Sequence, residues 1–106
     1  MPKYLLRASY TAEGIKGVVK DGGTKRQATA RRLVESLGGK LDAFYYAFGE
    51  TDVIAIVELP DNASAAAASL AIGGTGAVTG NITVLLTPSD IDEAVKKSGQ
   101  YTAPGH

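Results

Sequence analysis

The sequence predicts an α+β fold, a four-stranded antiparallel sheet with helices on one face. Three observations carry this expectation. Strand-like alternation opens the chain at Lys3–Tyr10, two apolar strands joined by a tight turn fill residues 40–59, and a fourth alternating run covers Asn81–Thr87. Helical patterns lie between the first and second strands and between the third and fourth. Two crossovers obeying the right-handed rule then give a β-α-β-β-α-β chain with spatial strand order 4-1-3-2. This is the ferredoxin-like arrangement, extended here by a terminal helix.

In the first strand Tyr4, Leu6, Ala8 and Tyr10 share one face, with Leu5, Arg7 and Ser9 on the other. Thr11 is placed to cap a helix that begins at Ala12 and carries Ile15, Val18 and Val19 on one stripe. Asp21-Gly22-Gly23 interrupts it, and Thr24 restarts it with Gln27 at the capping-box spacing. The inner stripe of this second piece is Ala30, Leu33, Val34 and Leu37, ended by Gly38-Gly39. Strand two is expected at about Leu41–Phe48 and strand three at about Asp52–Leu59, on either side of Gly49-Glu50-Thr51. Leu59-Pro60-Asp61-Asn62 leaves the sheet and caps a helix running to Ile72. That helix is nearly all Ala and Ser, so its axis can approach the sheet closely; Gly73-Gly74-Thr75-Gly76 stops it. Thr87-Pro88-Ser89-Asp90 starts the last helix with a capping Thr, Pro at the first helical position and an early acid. Ile91, Ala94 and Val95 are expected to point inward from it. A single domain is read over 1–99, with 100–106 a loose tail.

A chain of 106 residues, 44% hydrophobic and 21% charged, fits one ordinary globular domain. Net charge is zero, which argues against nucleic acid as a partner. The charge is unevenly spread: residues 1–40 carry nine Lys/Arg against Glu13, Asp21 and Glu35, and residues 41–106 carry Lys96 and Lys97 against eight acids. The two halves are expected to complement one another within the fold or between subunits. No run approaches the roughly 20 apolar residues that span a membrane, so no membrane partner is expected. The absence of cysteine and of a signal-peptide pattern points to a reducing cytoplasm.

Both faces of strands two and three read as apolar. Alternation places Leu41, Ala43, Tyr45 and Ala47 on one side of strand two, with Phe44, Tyr46 and Phe48 on the other. Val53, Ala55, Val57 and Leu59 of strand three oppose Ile54 and Ile56. The chain has helices for one sheet surface. The other predicts a second copy of the chain, two sheets packing face to face as a homodimer. The competing arrangement covers that surface with the terminal helix, Ser89–Ser98.

The chain resembles the GYD-domain family, small proteins of largely unassigned function grouped with the dimeric α/β-barrel superfamily. The resemblance spans nearly the whole chain. It rests on Tyr4-Leu5-Leu6 followed by Thr11, the Gly22-Gly23-Thr24 break, Leu37-Gly38-Gly39-Lys40, Phe48-Gly49-Glu50-Thr51-Asp52-Val53 and Val57-Glu58-Leu59-Pro60-Asp61. One position departs from the pattern: Thr51 stands where the family usually carries the tyrosine of its name-giving motif. The resemblance implies the ferredoxin-like fold and dimerisation. It implies little about chemistry, because superfamily relatives include cofactor-independent monooxygenases, small isomerases and stress-responsive proteins.

Few residues are equipped for catalysis. His106 is the only histidine, so a histidine triad or a multi-histidine metal site is not expected within one subunit. No metal and no other cofactor is expected. Arg7 and Glu58 stand in otherwise apolar, neighbouring strands. They are read either as an ion pair fixing register or interface, or as a site in which Glu58 accepts a proton and Arg7 orients an anionic or carbonyl group. Tyr45 and Tyr46, with Phe44 and Phe48, are core, interface or the lining of a pocket for a small hydrophobic ligand. Asp52 is a turn-closing residue or a ligand contact. Gly22, Gly23 and Thr24, beside Lys20, Lys25 and Arg26, are a turn between helices or an anion site. Three functions stay open: a binding or structural module whose property is self-association, a cofactor-independent monooxygenase- or isomerase-like enzyme, and a regulatory subunit whose partner takes the sheet edge.

Overall fold

The structure is a computed structural model and describes residues 1–47, 49–97 and 99–106. Its elements are β1 (Lys3–Tyr10), α1 (Ala12–Asp21), α2 (Gly23–Ser36), β2 (Lys40–Tyr46), β3 (Val53–Glu58), α3 (Asn62–Gly73), β4 (Val78–Leu85) and α4 (Pro88–Lys96). The strands form one antiparallel sheet in the order β2-β3-β1-β4, the expected order counted from the other edge. The fold is ferredoxin-like. Phe48 and Ser98, assigned above to strand two and the terminal helix, lie outside the described residues.

Local chemistry explains most boundaries. Thr11 accepts the Gly14 amide at 3.3 Å and starts α1, and Asp61 accepts the Ser64 amide at 2.8 Å and starts α3. Thr87 and Asp90 form a reciprocal capping box at α4, with Pro88 at its start. Thr24 does not restart the helix: α2 begins one residue earlier behind Gly22, whose φ of +82° lets the chain turn between α1 and α2. Strand four begins at Val78 rather than Asn81, because the pairing with β1 continues to Val78 opposite Tyr10.

The core lies between the sheet and α2 and α3. Tyr4, Val34, Leu41, Ala55, Val57, Leu59 and Ala65 form its larger cluster, and Ala8, Val53 and Val78 a smaller one towards the other end. The alanines of α3 do what their size suggests: Ala65 and Ala68 are buried, so this helix lies close on the sheet. Gly39 is equally a matter of space, since a side chain there would run into the Glu58 carbonyl and Leu59. The expected stripe of α1 is largely wet; only Gly14 is buried, and Val19 is 81% exposed.

Two departures bear on function. Strand two carries a β-bulge: Leu41 pairs with Val57 and Ala43 with Ile56, leaving Asp42 as the extra residue. A bulge inverts alternation beyond it, so Leu41 shares the helix side with Phe44 and Tyr46 instead of joining Ala43 and Tyr45. The second concerns α4. Ile91 and Val95, expected to point inward, are 48% and 74% exposed, and no residue of α4 is buried. The radius of gyration is 16.9 Å and the longest extent 57 Å. A compact chain of this length has a radius near 13 Å. The terminal helix thus leaves the sheet's second surface uncovered.

Candidate functional site

That second surface is best described in rows across the strands, since directly paired residues point to the same side. The middle row is Ala43–Ile56–Leu5–Thr83. The row beside it is Tyr45–Ile54–Arg7–Asn81, and the row on the other side is Lys40–Glu58–Lys3–Leu85. Leu5, Ala43, Ile54 and Ile56 make a half-buried apolar patch flanked by Tyr45, which is 69% exposed. The surface is less uniformly apolar than the alternation of β2 and β3 implied, because β1 and β4 bring Lys3, Arg7, Thr79, Asn81 and Thr83 to it.

Arg7 and Glu58 do share this face, as their alternation allowed. They are four residues apart in register, or about 13 Å at strand spacing, and do not meet. Glu58 faces Lys3 at 3.7 Å instead, and Lys3 donates to Asp42 at 2.6 Å, with Lys40 at 4.0 Å from the same carboxylate. The bulge is what brings Asp42 into this network. Its hydrogen bond, together with the negative field of both carboxylates, holds the Lys3 ammonium above its ordinary pKa.

The helix side of the sheet holds a different site. A groove of about 110 Å3 runs between α2 and α3, floored by Leu6, Ala8, Phe44 and Val53 and walled by Ala30, Leu33 and Ile72. Tyr10, Arg26 and Thr29 supply its polar lining. Burial raises the Tyr10 phenol above its usual range; the neighbouring Tyr46 adds to the shift and Arg26 opposes it. Tyr46 packs edge-on against Phe44 with ring centroids 5.3 Å apart, and its hydroxyl donates to the Gly23 carbonyl at 3.0 Å. Gly23 leaves room for that ring, which a side chain would press against. Tyr45 and Tyr46 therefore lie on opposite sides of the sheet, as alternation placed them, and do not line one pocket together.

The other candidates are tied up locally. The Asp52 carboxylate accepts the Tyr10 amide at 2.9 Å, while its own amide donates to Ala8 and its carbonyl accepts from Ala47. It thereby bolts the β2–β3 hairpin to β1. Gly22, Gly23 and Thr24 form the joint at the start of α2, where Asp21 reaches Lys25 at 3.7 Å and Arg26 at 3.8 Å and offsets their charge. His106 is exposed in the C-terminal segment. Among the described residues no three His, Asp or Glu side chains converge as metal ligands, and no helix is long and apolar enough to cross a membrane.

Residues 4–95 match the GYD domain. The chain belongs to the GYD-domain family. Comparison with curated proteins and with solved structures gave no match. In this GYD domain Thr51 is half-buried in the β2–β3 turn, beside Glu50, whose carbonyl accepts the Ser9 hydroxyl at 2.9 Å. Sequence reasoning missed Tyr10 and Arg26 as a pair. Their signals were present: Tyr10 continues the inner alternation of β1, and Arg26 precedes Ala30 by four residues on the inner stripe of α2. Only their meeting needed the fold.

Proposed function

We propose that this GYD domain is a self-associating module whose sheets pack face to face in a homodimer. The observation that carries the proposal is the open side of the sheet, where Leu5, Ala43, Ile54, Ile56 and Tyr45 meet with no helix over them among the described residues. An apolar patch on a strand surface favours burial by about 25 cal/mol per Å2, and the matching surface nearest at hand is its own twin. The Lys3–Glu58–Asp42–Lys40 network borders the patch and leaves that margin electrically balanced. Light scattering and sedimentation velocity on the intact protein at micromolar concentration test the proposal. The expected mass is twice that of the protomer, and a monomer over the whole range overturns it.

The groove favours a second reading, the handling of a small hydrophobic molecule. Tyr10 and Arg26 on an otherwise apolar lining give a ligand one polar end to meet. At about 110 Å3 the groove is smaller than the roughly 300 Å3 at which ordinary ligand pockets begin. Glu58, the carboxylate considered above as a proton acceptor, lies on the opposite side of the sheet from it. A monooxygenase- or isomerase-like reaction in this groove would have to use Tyr10 and Arg26 instead. Self-association is therefore the reading we adopt.

A further inference from the structure

Self-association through the sheet leaves α4 without a role, and α4 is the best-built helix start in the molecule. Its capping box, Pro88 and early acid define where it begins. A helix of nine residues is marginal in water without a surface to lie on. Its apolar stripe, Ile91, Ala94 and Val95 at i, i+3 and i+4, is exposed together with Leu86 just before it. Only Leu86 and Thr87 separate β4 from α4, and Thr87 is engaged as the cap, so the link that sets the direction of the helix is short.

Interface size points the same way. Four strands about 4.8 Å apart and six to eight residues long offer roughly 450 Å2 in plan. A stable interface takes about 800 Å2 from each partner. A nine-residue helix covers roughly 14 × 10 Å, and a reciprocal exchange counts it twice for each protomer, once giving and once receiving, or about 280 Å2. The sum comes close to what the sheets alone lack.

We infer that α4 is an exchanged arm: in the dimer its Ile91–Val95 stripe lies on the second copy of the chain, and the partner's α4 lies reciprocally on the first. The inference rests on the sheet-to-sheet homodimer, and reciprocity is what closes the pair instead of building a filament. The test uses the full-length chain in two variants, Ile91→Asp/Val95→Asp and Ile54→Asp, with dimer dissociation constants from sedimentation equilibrium and folding checked by circular dichroism. Isotope-filtered NOEs are recorded on a mixed dimer of labelled and unlabelled wild-type chains. The arm predicts NOEs between the Ile91 and Val95 methyls and the other chain, and roughly tenfold or greater weakening of the dimer in the Ile91→Asp/Val95→Asp variant. A dimer of wild-type strength in that variant, lost only with Ile54→Asp, overturns the arm and leaves the sheet interface standing. Intermolecular NOEs confined to sheet residues do the same. A wild-type chain that is monomeric throughout overturns both.

Discussion

Ile56→Asp tests the sheet interface at its centre. Ile56 sits in the middle row, directly opposite Leu5 on one side and Ala43 on the other. Within the protomer it is half-buried, so a good part of its side chain faces the proposed partner. Burying an Ile side chain fully contributes about 1.5–3 kcal/mol, about half of which remains to be gained here, and twofold symmetry counts it on both sides, for about 1.5–3 kcal/mol at the interface. At 1.4 kcal/mol per factor of ten the dissociation constant rises about tenfold to a hundredfold, before counting the cost of two unpaired carboxylates in an apolar patch. Sedimentation velocity over a concentration series reads this directly, with circular dichroism and urea unfolding reporting whether the protomer stays folded. The expected result is a folded monomer at concentrations where the wild type is dimeric. A folded variant that sediments with the wild type would refute the reasoning, because no face-to-face sheet packing can keep a carboxylate pair at that position without loss.

Three further outcomes follow from the protomer itself. Gly39→Ala forces a side chain against the Glu58 backbone and is expected to cost about 1–3 kcal/mol in urea unfolding, whereas Gly17→Ala, with open space at a helix interior, is expected to stabilise by about 0.5–1 kcal/mol. Asp52→Ala strips the Tyr10 amide of its acceptor and should destabilise by about 1–3 kcal/mol, measured the same way. Tyr10 should titrate above the usual 10.0 by ultraviolet difference spectroscopy, higher still in Arg26→Gln and lower in Tyr46→Phe. Because its folded pKa is raised, the stability it contributes is whole below pH 10 and declines as pH rises through the folded value.

The fold was legible because its signals are local and mutually consistent. Alternation in β1, the stripe of α2, the small residues of α3 and the caps at Thr11, Asp61 and Thr87 each need only a few neighbouring residues, and each agrees with the strand order. The bulge at Asp42 was not legible in this way. Nothing in Lys40-Leu41-Asp42-Ala43 announces an extra residue; it follows from pairing with β3 and from the reach of the Asp42 carboxylate to Lys3, 39 residues away. The same limit hid the Tyr10–Arg26 groove and separated Arg7 from Glu58, whose shared face was readable while their register was not. The direction of α4 escaped for another reason. Its stripe is a true amphipathic signal, and a stripe says that a helix wants cover without saying from which chain.

Charge chooses between the two arrangements open to a pair of such sheets. A twofold axis relating stacked sheets lies in the plane between them, either across the strands or along them. Set across the strands through the middle row, the axis lays the Arg7 row on the partner's Lys3 row and brings like charges together on β1. Set along the strands between β1 and β3, it keeps each row on itself and places Lys3 over the partner's Glu58, Leu5 over Ile56 and Arg7 over Ile54 beside Tyr45. The second arrangement pairs opposite charges, joins the apolar patches and gives Arg7 an aromatic neighbour. It is also compatible with the roughly 30° offset at which aligned sheets stack. Lys3→Glu should therefore weaken the dimer several-fold at low salt, and Lys3→Glu/Glu58→Lys should restore most of it, both effects fading as ionic strength rises. Sedimentation equilibrium at two salt concentrations decides the matter: tighter association on Lys3→Glu alone would exclude the along-strand axis, since only the across-strand arrangement gains when a cation facing Arg7 becomes an anion.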